Sequence, residues 1–201
     1  MKTLKVKVTM TEEILGTASS NKEIHEEFIA SKAPDAPSRA EEVAALGAEE
    51  VFEKGMTVFP KRDGRPFVWD YQWKGFLKDA CGALRKVPGT ACSKIKAYKK
   101  EIDGLIFVSP REIPITFDGD LGICQRPLRA STAQGERIAL ASSESIPAGA
   151  TMEFTIELLT TGYVDAIKEM LDYGILRGFG QWRNSGKGRF TYEILEDATA
   201  E

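Results

Sequence analysis

Nine residues in the second half of the chain, TMEFTIELL (151–159), alternate apolar and polar side chains almost without interruption. Met152, Phe154, Ile156 and Leu158 fall on one side of an extended backbone, and Glu153, Thr155 and Glu157 on the other. The segment is therefore expected to be a strand with one buried and one wet face. Leu4, Val6 and Val8, interleaved with lysines, predict a similar first strand over residues 3–10. A one-sided sheet needs helices to cover it. Trp73, Phe76, Leu77, Ala80, Ala83 and Leu84 recur at helical spacing, as do Val164, Ile167, Met170 and Leu171 between Tyr163 and Tyr173. Gly174 is read as the stop of the second helix. Further strands are expected at 105–108, 113–117, 137–140 and 190–195, with the last six residues fraying. Strand, helix, several strands, helix, strand is the order of an α+β fold with helices on an antiparallel sheet, and ferredoxin-like topology is its simplest form.

The chain has 201 residues, enough for one domain (1–201) with an insertion. Ser20-Asn21 is a candidate N-cap for a short helix ending near Ala33, and Ser38 with Glu41 forms a capping box for a second helix to Lys54. Together they suggest an acidic helical insertion over 20–55. Asp63-Gly64 predicts a hairpin turn between Thr57–Phe59 and Pro66–Trp69.

No apolar run approaches the ~20 residues of a membrane helix. The N-terminal decapeptide lacks the apolar block of a signal peptide, so a cytoplasmic protein is expected. Cys81, Cys92 and Cys124 are odd in number with no Cys-x-x-Cys pair, and His25 is the single histidine. A disulfide framework, a cysteine zinc site and a histidine-rich metal centre are all excluded, and no cofactor is expected.

The net charge of −3 conceals a split. Residues 11–53 hold eleven acidic and three basic side chains; residues 72–100 hold eight basic (Lys74, Lys78, Arg85, Lys86, Lys94, Lys96, Lys99, Lys100) against one acidic, Asp79. The segment LRGFGQWRNSGKGRF (176–190) adds Arg177, Arg183, Lys187 and Arg189 with no acid. Such asymmetry points to a polyanion-facing surface. Gly178, Gly180, Gly186 and Gly188 let backbone amides approach a phosphate, Arg183 can hold one bidentately, and Phe179 and Trp182 offer faces for stacking a base. The same residues also fit a glycine-rich connection packed on a neighbouring strand, with Trp182 in the core. The spacing matches neither a Walker A loop nor a dinucleotide fingerprint, because the loop leads into a strand. At PFVWDYQWKGFLKDA, Lys74 beside Gly75 in a first helical turn would meet a backbone phosphate by charge and by the helix dipole.

Taken together, WKGFLKDA (73–80) after PFVW, IPAG (146–149) before MEFTIEL, and the 163–173 helix leading into GFGQWRNSGKGRF resemble, in order, the RAMP superfamily of CRISPR RNA-binding proteins, most of all the repeating backbone subunits of multisubunit CRISPR complexes. The resemblance covers roughly the C-terminal two thirds. It implies an RRM-related fold, guide or target RNA as ligand, and other ribonucleoprotein subunits or copies of the chain itself as partners. The implied RNA-binding residues are Lys74, Lys78, Arg177, Gly178, Gly180, Trp182, Arg183, Gly186, Lys187 and Arg189. One departure is that Asp70, Tyr71, Gln72 and Trp73 stand where backbone subunits commonly carry Gly-Ser-Ser before the lysine.

Binding rather than catalysis is the expectation. Some family members cut RNA through an aspartate after the first strand. Asp35, between Pro34 and Pro37, is so placed, but its distance from Lys74 does not match the pattern. His25 would suit a RAMP-type endoribonuclease as general acid or base, yet Glu23, Glu26 and Glu27 around it repel RNA. Two alternatives remain: a stand-alone protein, for example one carried by a phage, that docks on or mimics a CRISPR subunit and inhibits it, and a ribonuclease using His25.

Overall fold

The computed structural model describes residues 1–19, 55–132 and 135–199. The expected helices of the acidic insertion, with His25 and Asp35, lie outside the described residues. The chain divides into two compact units, one of Met1–Ile14, Pro60–Asp120 and Ile146–Glu201, the other of Leu15–Phe59 and Leu121–Ser145.

In chain order the elements are β1 (Lys2–Met10), β2 (Ile14–Leu15), β3 (Ala18–Ser19), β4 (Thr57–Val58), β5 (Lys61–Arg62), β6 (Arg65–Trp69), α1 (Asp70–Leu84), α2 (Tyr98–Leu105), β7 (Ile106–Ser109), β8 (Glu112–Pro114), β9 (Gly122–Thr132), β10 (Gly135–Ile146), β11 (Thr151–Leu158), α3 (Val164–Asp172), α4 (Gly174–Arg177) and β12 (Phe190–Thr199).

The first unit is built on an antiparallel sheet of order β12-β1-β11-β7. Helix α1 lies between β1 and β7 in the chain, and α3 between β11 and β12. This is the split β-α-β arrangement of the ferredoxin-like fold, as the sequence predicts. Alternation explains the sheet's inner face: Leu4, Val6, Val8 and Met10 of β1 and Met152, Phe154, Ile156 and Leu158 of β11 are all buried. β12 pairs with β1 as far as Thr199, four residues beyond the expected strand, so the tail is not frayed up to that point.

Helix α1 starts at Asp70, after an extended Trp69 whose N–H donates to Gln72 Oε1 at 2.8 Å. Its buried residues, Trp73, Phe76, Leu77, Ala80 and Cys81, follow the i, i+3, i+4, i+7, i+8 rule of a single apolar stripe. The core closes around Trp73, which stacks on Phe179 (4.2 Å between centroids, 16°) and on Phe154 (4.5 Å, 29°) and meets Phe76 and Phe190 edge-on. One aromatic cluster thus ties α1, β11, β12 and the segment after α4 together.

Two expectations are corrected and a third is extended. Helix α3 ends at Asp172, just before Gly174 as expected, and a separate short helix, α4, follows from Gly174 to Arg177. Gly174 also packs closely: a methyl there would lie 2.2 Å from the Phe190 ring. Tyr98–Leu105 is helical, so the strand expected from Leu105 begins at Ile106. The Asp63-Gly64 turn does form, with φ of 50° and 76°, as a two-residue hairpin turn of this type demands. It joins β5 to β6, however, and not Thr57–Phe59 to β6.

In the second unit β9 and β10 form a long antiparallel ladder from Gly122↔Ser145 to Thr132↔Gly135, of which only 137–140 was legible as strand. β4 pairs with β10 in parallel at Thr57↔Ser143, where the two hydroxyls lie 2.6 Å apart, and β3 pairs with β4.

Candidate nucleic-acid interface

The glycine-rich loop is closed at its neck by backbone hydrogen bonds. Phe179 N–H donates to Gly188 O at 2.7 Å, and Gly188 N–H donates to Glu13 O at 2.8 Å. Arg189 O accepts from Thr11 N at 2.8 Å, so the segment after β1 braces the returning arm. The two neck glycines are needed for this crossing. A methyl on Gly188 would sit 1.9 Å from Phe179 O, and one on Gly178 would sit 2.4 Å from Lys187 O. Both also have positive φ, 71° and 74°. Both are thus needed for loop closure, a packing role that the sequence alone did not show.

Beyond the neck the chain folds into a hollow of about 690 Å³ bounded by Arg177, Gly180, Gln181, Trp182, Arg183, Asn184 and Ser185. Trp182 is half-buried and held at φ 58°, a left-handed conformation that costs a bulky residue roughly 1–2 kcal/mol. Such strain is concentrated at functional sites. A single 3-10 turn, Arg183–Ser185, follows and is ended by Gly186 at φ 89°.

Two arginines of the hollow share one carboxylate. Asp79 Oδ2 of α1 accepts from Arg177 Nε at 2.9 Å and from Arg183 Nη1 at 2.7 Å, and Arg177 Nη1 also donates to Asn184 Oδ1 at 2.9 Å. Partial burial works to raise the Asp79 pKa, but the hydrogen bond from Arg177 and the charges of both arginines outweigh it and hold the carboxyl below its ordinary value. Asp79 therefore stays ionised and fixes both guanidinium planes at the mouth of the hollow. Three charges leave one net positive, already oriented.

The remaining predicted residues scatter around this centre. Lys187 pairs with Glu13. Arg189 is exposed, with its guanidinium against Gly186. Lys78 Nζ pairs with Asp103 Oδ1 at 2.9 Å; Lys74 Nζ donates to Asp103 O at 2.8 Å and lies 4.9 Å from the centre of the Phe107 ring. Lys74 is in the second turn of α1, and the first turn is occupied by Asp70, which accepts from Arg111 at 2.8 Å. The helix-dipole argument made for Lys74 accordingly fails. Phe179 is 3% exposed and stacked on Trp73, so it offers no face to a base. The outer-facing residues of the sheet, by register, include Lys5 and Lys7 beside Glu153, Glu157, Glu193 and Glu196, a mixed surface in which carboxylates outnumber lysines.

Asp79, Asn184 and Glu13 escaped the sequence reading. Asp79 alone had left a signal, as the one acid among the eight bases of 72–100.

Among the described residues no helix is long and apolar enough to cross a membrane. No protein-family model and no curated protein matches the sequence. Solved structures do match the fold. One chain of the Type III-B Cmr-beta complex bound to cognate target RNA is similar over 98% of this chain, at 14% identity and a TM-score of 0.54; this chain spans 60% of that one's length. A chain of a Type IV-B CRISPR complex is similar over all of this chain and 93% of its own length, at 11% identity and a TM-score of 0.50. At such identities the likeness is one of architecture, and the chain has a fold shared with subunits of CRISPR complexes.

Proposed function

We propose that this chain is a non-catalytic RAMP-like subunit that holds guide or target RNA in a CRISPR-type ribonucleoprotein. The observation that carries the reading is the hollow of about 690 Å³, with Arg177 and Arg183 fixed at its mouth by Asp79 and Trp182 strained into its wall. Two oriented guanidinium groups suit phosphate oxygens, and a half-buried indole suits a base, a stacking contact worth about 1–3 kcal/mol. The same loop follows α3 and precedes β12 in the order seen in RAMP proteins. One of the two similar structures is described as bound to cognate target RNA.

One observation favours the inhibitor reading. The loop's cations are largely paired inside the chain, with Asp79 and Glu13, which reduces the charge left for a polyanion. The two readings part on the purified protein's absorbance ratio and a gel shift with generic single-stranded RNA. The RNA reading expects co-purifying nucleic acid or a shifted band. A nucleic-acid-free protein that shifts no RNA, but forms a stable complex with a CRISPR subunit, contradicts it and establishes the alternative.

A further inference from the structure

We infer that a second hollow, floored by the C-terminal half of α1, is a phosphate subsite that continues the path of the RNA strand from the loop. This inference rests on the RNA reading of the loop. The hollow measures about 730 Å³ and is lined by Lys78, Asp79, Arg85, Lys86, Tyr98 and Tyr173 among others, with Arg177 standing on the border of both hollows. A strand leaving the loop past Arg177 enters it directly.

The cations of the second hollow differ in their pairing. Asp79 lines it and is taken up by Arg177 and Arg183, and Lys78 is paired with Asp103. Arg85 and Lys86 are exposed, and among the described residues neither has a carboxylate partner. The Arg85 guanidinium lies 5.1 Å from the centre of the Tyr98 ring, within cation–π range, which orients it without neutralising it. Gly82 leaves room for this arrangement, because a methyl there would meet the Tyr98 hydroxyl at 2.9 Å. Lys96, Lys99 and Lys100 flank Tyr98 in the chain and are likewise exposed. Salt-dependent affinity comes from cations that replace condensed counterions on phosphates, and unpaired cations do this at the least cost. The oriented arginines of the loop therefore give position and selectivity, and the Arg85–Lys86 hollow adds salt-sensitive affinity of its own.

The test is binding of the full chain to RNAs of about 4 and about 16 nucleotides, which span the usual range of single-strand site sizes. It compares wild type, Arg85→Ala/Lys86→Ala and the charge-preserving Arg85→Lys/Lys86→Arg over a salt series. On the long RNA the alanine pair should lower the salt slope by about 1.4, at about 0.7 for each phosphate no longer neutralised. The charge-preserving pair should keep the slope, and the short RNA should bind all three proteins alike. An alanine pair that matches wild type on the long RNA while wild type binds both overturns the subsite and leaves the loop reading standing. Absence of wild-type binding to either RNA overturns both. Both positions are exposed, so unchanged thermal melting is expected of both variants.

Discussion

Trp73→Ala is expected to destabilise the protein by about 3–5 kcal/mol, the cost of deleting a large buried aromatic. For a chain of this size that lowers the melting midpoint by roughly 10 °C. The physical reason is the position of the ring. Trp73 is fully buried, sandwiched between Phe154 and Phe179, and touched edge-on by Phe76 and Phe190. Its loss opens a cavity where a helix, two strands and the root of the loop meet, and none of these can collapse into it without moving the others. Among the described residues Trp73 Nε1 is buried without a hydrogen-bond partner, so Trp73→Phe removes an unsatisfied donor along with some volume and should cost much less than the alanine change. Circular dichroism melts of the two variants decide the matter. A midpoint for Trp73→Ala within a degree or two of wild type would show that the aromatic cluster does not hold the fold together.

Gly188→Ala is the second large effect, and Gly64→Ala is its control. Both residues have positive φ, 71° and 76°. Each alanine therefore incurs roughly 1–2 kcal/mol of backbone strain. Only Gly188 meets anything: its methyl would lie 1.9 Å from Phe179 O, whereas Gly64 has open space around it. Gly188→Ala must therefore part the neck, break the Phe179 N to Gly188 O hydrogen bond and displace Trp182 and Arg183. It should lose more stability than Gly64→Ala and should weaken RNA binding, which Gly64→Ala should leave intact. Equal losses of stability in the two variants, with RNA binding unchanged in both, would mean that the neck does not shape the hollow.

The sheet and its covering helices were legible because their signal is local. Period-two patterning in β1 and β11 and the apolar stripes of α1 and α3 state which face is buried, and the structure buries those faces. Legibility failed where the deciding partner is distant in sequence. Gly174 reads as a helix stop, and α3 does end there, but nothing local shows that the Phe190 ring, sixteen residues on, takes the space of its side chain. Gly178 and Gly188 read as phosphate-approaching glycines until each is seen to face the other arm of the loop. Phe179 and Trp182 look equivalent in the sequence, yet the first stacks on Trp73 and the second lines the hollow. Asp79 lies about a hundred residues before the arginines it orients, so no spacing rule could connect them. The β9–β10 ladder lacks clean alternation over most of its length, and its pairing, more than its composition, makes it a sheet.

The most direct measurement of the central claim is the salt dependence of binding to a single-stranded RNA by wild type and by Arg183→Ala/Lys187→Ala. Wild type should bind with an affinity that falls steeply as salt rises. The double variant should bind more weakly, with a slope shallower by about 1.4 if each side chain meets one phosphate. Identical affinity and identical slope in the two proteins would contradict the assignment of RNA to the loop.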